Sequence, residues 1–210
     1  MRPVICMITP AVRGAQDEAE LLERIGAAAG AGVRLIQIRQ VEMDGGALSR
    51  LVRRAVEVVQ RTGARVLVND RVDVALAVGA HGVQLRGTSV AASRVRAVAP
   101  DGFVIGRSVH SPEEASRAAL DGGLDFLVFG TVFDSGSKPG VAPAGTTRLA
   151  ATCQAVSLPV LGVGGMTPSR MLEVAAAGAA GFAAIGLFAE TPTVQFPDLM
   201  RETHAAFDEL

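Results

Sequence analysis

Pro159-Val-Leu-Gly-Val-Gly-Gly-Met-Thr-Pro168, then an alanine-rich stretch, then Gly181-Phe-Ala-Ala-Ile-Gly-Leu-Phe188: on these lines of the 210-residue sequence the fold reading turns. They spell a buried strand ending in glycines, a helix, and a second buried strand that also ends in a glycine. Gly164, Gly165 and Gly186 would bare backbone N–H groups at the carboxyl ends of two neighbouring strands, where a phosphate can be held without any cationic side chain. Glycine also ends helices and eases packing, so the turns acquire this meaning only if the preceding residues supply more strand–helix units.

The preceding residues do supply them. Val4 to Thr9 is a short apolar run rich in branched residues, and Leu21, Leu22, Ile25, Ala28 and Ala29 follow at helical spacing. Arg34 to Arg39 reads as the second strand, with Leu48, Leu51, Val52, Ala55, Val58 and Val59 striping the next helix. Arg65 to Asp70 runs into a helix over Arg71 to Val78, and Gly82 to Leu85 is the fourth strand. Phe103 to Val109 is the fifth; after it Ser111-Pro-Glu-Glu114 is a capping box with proline at the first helical position. Phe126 to Phe133 is the sixth, Thr167-Pro168 is expected to cap the helix after the seventh in the same way, and a last helix covers about Asp198 to Glu209. Eight such units with near-continuously apolar strands predict a closed parallel sheet: an α/β protein, one (β/α)8 TIM barrel over residues 1–210. A doubly wound open sheet would carry a glycine fingerprint in the first turn, and Thr9-Pro-Ala-Val-Arg-Gly14 has none. In a barrel the turns after strands 7 and 8 are where phosphate binds.

Composition narrows the function classes. With 49% hydrophobic residues the chain can bury a sizeable core, and a net charge of −1 offers no broad attraction to nucleic acid or an anionic membrane. Cys6 and Cys153 are isolated and read as thiols rather than a disulfide; three scattered histidines, His81, His110 and His204, have no zinc spacing. The amino-terminal apolar run is too short for a signal peptide, and nowhere do about 18 apolar residues occur in a row, so a cytoplasmic protein is expected. Lys138 is the single lysine beside 19 arginines, which marks it as a position where a mobile ammonium is wanted.

Barrel chemistry sits where strands end. Those ends offer Thr9; Gln37 and Arg39; Asn69 and Asp70; Gln84 and Arg86; Ser108 and His110; Thr131, Ser135, Ser137 and Lys138; then Gly164, Gly165 and Gly186. Gln37 and Arg39 share parity, so both are expected to point into the mouth, where an arginine needs an anion or a carboxylate. A ligand contact is the leading reading for Arg39, and a structural pair with Asp70 the alternative. His110 is expected to serve a loop or cap, and His81 and His204 to lie on the surface.

The order and spacing of these pieces resemble the thiamin phosphate synthase and thiazole tautomerase superfamily of small barrels. The resemblance runs from strand 2 to strand 8. It is carried by Gln37-Ile-Arg39, Val68-Asn-Asp-Arg-Val-Asp73, His81-Gly-Val-Gln-Leu85, Gly106-Arg-Ser-Val-His-Ser111, Phe129-Gly-Thr-Val-Phe133 with Ser135-Gly-Ser-Lys138, and Gly162-Val-Gly-Gly-Met-Thr-Pro168. Against the synthase pattern, Val41 stands where a lysine is usual and Ser89 where a carboxylate would share magnesium with Asp70. Gly106 to Ser111 and Gly165 to Pro168 look closer to the tautomerase branch, although its histidine is replaced here by Thr131.

The resemblance therefore implies an enzyme of thiamin biosynthesis, and the leading expectation is a thiazole tautomerase-like isomerase. It would move a proton to aromatise a thiazole phosphate carboxylate, with Thr131, Lys138 and Asp70 as catalytic residues and Gln37, Arg39, Asn69, Ser108, Ser135 and Ser137 binding substrate. Gly164, Gly165 and Gly186 would hold the phosphate, and no cofactor would be needed. The first alternative is a thiamin phosphate synthase, joining a pyrimidine diphosphate to the thiazole phosphate with loss of pyrophosphate and using Mg²⁺ on Asp70. A non-catalytic barrel binding thiamin precursors is the second. The partner expected is the small-molecule thiazole phosphate, with no nucleic acid and no membrane; a homo-oligomer stays open. Gly165→Val is expected to weaken phosphate binding with the fold largely retained.

Overall fold

The computed structural model describes residues 2–135, 140 and 142–209. Eight parallel strands, β1 (Val4–Ile8), β2 (Leu35–Ile38), β3 (Arg65–Asn69), β4 (Gly82–Leu85), β5 (Val104–Val109), β6 (Phe126–Gly130), β7 (Val160–Val163) and β8 (Gly181–Ala184), close in sequence order. Val4 pairs with Gly181 to seal the barrel. The helices that return the chain are α1 (Ala15–Gly30), α2 (Gly45–Val59), α3 (Val72–Ala77), α4 (Ala92–Arg96), α5 (Pro112–Leu120), α6 (Gly145–Ala155) and α7 (Met171–Ala176). After β8 come α8 (Gly186–Glu190) and α9 (Phe196–Asp208). The expected (β/α)8 barrel is the observed fold.

Strand alternation sorts the core into two bodies. Cys6, Ile8, Leu35, Leu67, Phe126, Val128, Leu161 and Ala183 fill the barrel interior. The opposite faces, among them Ile5, Met7, Ile36, Ile38, Val66, Val68, Phe129 and Phe182, pack against the helices. A barrel of eight strands leaves little room inside, so large residues need small neighbours. Gly106 illustrates this: a Cβ there would run into the Phe126 ring and Gln84. Cys6 is a free thiol in the interior and Cys153 one on α6, and burial pushes them up to about 12 and about 11.

Helix starts follow the sequence unevenly. The Ser111 hydroxyl accepts from the Glu114 N–H at 3.2 Å, as the capping box requires, while the Glu114 carboxylate reaches back to the His110 N–H at 2.8 Å. Thr167 makes no such cap: its hydroxyl meets Ser169 at 3.0 Å, and a single 3₁₀ turn over Pro168–Arg170 precedes α7. The sixth strand is shorter than the expected Phe126 to Phe133, ending at Gly130. Beyond it the Val132 and Phe133 N–H groups bond the carbonyls of Val163 and Gly164. That tie sets the loop after β6 directly against the turn after β7.

Candidate active site

At the carboxyl end of the barrel the strand ends enclose a cavity of about 1150 Å³, roomy even for a small-molecule site. Gln37, Asn69 and Ser108 line its floor, with Gln84 buried behind them. Gln37 donates from Nε2 to Asn69 Oδ1 at 3.0 Å, and Gln84 donates from Nε2 to Ser108 Oγ at 3.1 Å. All four residues sit at inward-facing positions of β2 to β5. The remaining donor and acceptor capacity of Gln37, Asn69 and Ser108 suits a heterocycle edge, because an amide presents both kinds of group at once.

Asp70 stands at the rim immediately after β3, in the left-handed region at φ 62, a conformation that Asp tolerates better than most residues. Its N–H bonds the Gln84 carbonyl at 2.9 Å, so β4 holds the turn in place. Both carboxylate oxygens are engaged. Oδ2 is paired with the Arg86 guanidinium, and Oδ1 accepts from the Ser89 hydroxyl, which itself accepts from the Arg86 N–H at 2.8 Å. Arg86 thus holds the place at Asp70 that the alternative reading gives to Arg39. Arg39 lines the cavity but is exposed, and no ion pair joins it to Asp70 among the described residues, because β2 ends at Ile38 and the chain is already leaving the barrel.

Other groups escaped the sequence reading. Arg107 is 7% exposed and points outward from β5, between the inward Gly106 and Ser108. Its guanidinium donates to the carbonyls of Arg86 and Gly87 at 3.2 Å each and to that of Val90, clamping the loop after β4. Burial pushes this guanidinium below its ordinary value, opposed by the fields of Asp121 and Asp70. The signal was an arginine in mid-strand, a position that burial permits only with a full set of acceptors. Gln40 is also buried, donating to Thr9 Oγ1 at 3.2 Å and the Pro10 carbonyl at 2.7 Å while accepting from the Val12 N–H at 2.9 Å; it ties the first two loops together. His110, read as a loop or cap residue, lines the cavity and meets the Gly130 carbonyl through Nδ1 at 2.5 Å. His81 is half-buried at the opposite end, where Nδ1 accepts from the Val66 N–H at 3.0 Å.

Across the mouth, Thr131, Gly164 and Ile185 line the cavity, whereas Gly165, Gly186 and Ser135 do not; Ser137 and Lys138 lie outside the described residues. Gly164 and Gly165 have positive φ, 105 and 63. A Cβ on Gly164 would strike Thr131, and one on Gly165 would strike the Asp134 carbonyl and lie 2.8 Å from Phe133 Cβ. Arg170 completes the contact, donating to the Gly165 carbonyl at 2.6 Å and stacking 4.6 Å from the Phe133 ring centre. Glycine is needed here for loop against loop. Gly165→Val should therefore destabilise the fold, where the sequence led to the expectation of a fold largely retained.

Comparison with known proteins places this mouth in a family. The family model described as thiamine monophosphate synthase matches residues 5–188. A putative thiamine-phosphate synthase of Geobacter sulfurreducens is 38% identical over 174 residues, 82% of this chain and 81% of the relative. The thiamine-phosphate synthase of Roseiflexus castenholzii is 35% identical over 192 residues, 91% and 83% of the two chains. Among solved structures, the thiamine phosphate pyrophosphorylase of Pyrococcus furiosus superposes with a TM-score of 0.82 at 28% identity, covering 98% of this chain and 96% of that one. The expectation of a tautomerase is overturned by these relatives, which are named as synthases. Resemblance to the other branch rested on short turn motifs, and the structure ties one of them, at Gly165, to loop packing. On the breadth of the match and the identity of the relatives, the chain belongs to the thiamine monophosphate synthase family.

Proposed function

We propose that the protein is a thiamine-phosphate synthase, joining a pyrimidine diphosphate to a thiazole phosphate and releasing diphosphate. In that reaction the bond from the pyrimidine's methylene carbon to the diphosphate oxygen breaks, the thiazole nitrogen bonds the same carbon, and the departing diphosphate carries the electron pair away. The observation that carries the reading is the identity of 35% to 38% with synthases spanning most of both chains. The cavity supports it with a division of labour. Gln37, Asn69 and Ser108 offer donors and acceptors to the pyrimidine, and the cationic rim of Arg39 and Arg86 suits a diphosphate. Thr131 and Gly164 face the side left for the thiazole phosphate, next to the turns at Gly165 and Gly186. Holding the two substrates together supplies much of the rate, since a bimolecular displacement becomes effectively unimolecular.

The magnesium expected for a synthase finds a poor donor set. Mg²⁺ is commonly anchored by one or two carboxylates with substrate oxygens and water. Asp70 has both oxygens engaged by Arg86 and Ser89, and no cluster of three His, Cys, Asp or Glu that could hold a metal ion occurs among the described residues. The side chains at this rim do not fit a protein-anchored metal. No helix among the described residues is long and apolar enough to cross a membrane. A cytoplasmic location belongs to the same proposal, because the two substrates are small charged phosphates.

Purified protein incubated with both substrates should form thiamine phosphate and diphosphate in equal amounts, read by chromatography. Failure to form either product at saturating concentrations would refute the assignment. Truncating the floor amide, as Gln37→Ala, should lower kcat/KM for the pyrimidine diphosphate by about twofold to tenfold, since it removes a hydrogen bond of about 0.5–1.5 kcal/mol to the substrate.

A further inference from the structure

We infer that Arg86 is a built-in cation for the diphosphate, standing at Asp70 where a divalent ion would otherwise sit. The inference rests on the synthase reading and concerns how its leaving group is held.

Asp70 and Arg86 leave adjacent strands, β3 and β4, at the cavity rim, and their ion pair is closed from the other side by Ser89. The geometry is braced twice. Ser89 accepts from the Arg86 N–H, and Arg107 holds the carbonyls of Arg86, Gly87 and Val90. The loop that carries the guanidinium is therefore fixed from beneath by a buried charge. Arg86 itself remains open: its side chain is 64% exposed, against 18% for Asp70. A guanidinium has five N–H donors in a planar fork, so the edge not used by Asp70 is left to bind phosphoryl oxygens, whereas the carboxylate has no oxygen left over.

A divalent ion on Asp70 would have to displace that guanidinium or lie within a few ångströms of it, where like charges repel. The residue at position 89 decides the matter chemically. A carboxylate there would give two acceptors for a cation, but Ser89 donates its proton to Asp70 and so consumes acceptor capacity instead of adding it. Position 41 adds to the need, since Val41, 68% exposed at the cavity, brings no charge. Arg86 compensates for both, and diphosphate binding becomes largely independent of Mg²⁺.

Calorimetric titration of the full chain with inorganic diphosphate, once in EDTA and once in excess Mg²⁺, tests this without turnover. The dissociation constants under the two conditions should agree within about threefold. Arg86→Gln, at an exposed position whose folding is checked by its melting temperature, should weaken binding in EDTA at least tenfold. Ser89→Asp should make binding at least tenfold tighter with Mg²⁺ than without. Wild-type binding seen only with Mg²⁺, Arg86→Gln binding in EDTA as tightly as wild type, or Ser89→Asp indifferent to Mg²⁺ would each overturn the inference. The two readings fail separately. Absence of thiamine phosphate formation refutes the synthase and leaves the binding measurement intact; turnover with diphosphate binding that requires Mg²⁺ refutes the inference and leaves the synthase.

Discussion

Around the mouth, β2 to β5 end in side chains that bind one another, whereas β6 and β7 end in backbone turns packed loop against loop. On the first side Gln37, Asn69, Gln84, Ser108, Asp70, Arg86 and Ser89 form polar pairs, and Arg107 clamps the loop below them. On the second, Gly164 and Gly165 press on Thr131 and Asp134, and Arg170 straps the contact. A side-chain network can lose one member and keep its backbone; a backbone contact at van der Waals distance tolerates no added atom. The two sides should therefore respond to substitution in opposite ways, one in ligand affinity and the other in stability.

The strongest break is expected on the backbone side. Gly165→Val places a branched side chain at φ 63 against the Asp134 carbonyl, and should cost at least about 3 kcal/mol. Thermal unfolding should show a fall of about 6–12 °C for a chain of this length. A melting temperature within about 2 °C of wild type would mean the two loops are not in contact.

Arg107→Met probes the other side from beneath. It removes three hydrogen bonds from carbonyls under the loop after β4 and should cost about 2 kcal/mol, with diphosphate affinity falling as the loop loosens. Stability loss with affinity unchanged would show that the clamp serves the fold alone.

The smallest effect is at the far end of the barrel and sharpens the comparison by being remote from both sides. Burial first, and then the charge of Arg65, hold the His81 imidazole below its ordinary value of 6.5, while Nδ1 accepts the Val66 N–H. The folded state therefore binds fewer protons than the unfolded one as pH falls. The stabilisation is complete above the unfolded value and is lost as pH drops below about 6.5. Removing the titrating ring in His81→Phe should flatten the stability profile between about pH 5 and pH 7 without altering diphosphate binding. A slope unchanged from wild type in denaturant titrations would exclude His81 as its source.

The fold was largely legible because its signals are local and repeated. Apolar runs separated by helical stripes, with Ser111-Pro112 marking a start, recur eight times, and each error was confined to an end. The sixth strand was drawn too long because Val132 and Phe133 are apolar and do pair with β7, only irregularly. The site was legible in part. Reading the strand ends named Gln37, Asn69 and Ser108 as substrate-binding candidates, and all three line the floor of the mouth.

What the sequence by itself determined, then, is the barrel, the end at which its polar residues gather, and the family. The tertiary structure alone decided which charges meet. Parity holds only while the strand continues, and Arg39 lies one residue past the end of β2, where the turn governs direction. Arg86 and Asp70 are likewise loop residues on different strands, brought together by the register of β3 against β4 and by the left-handed turn at Asp70. An ion pair between loops depends on the closed sheet beneath it, and no spacing along one chain can state that distance.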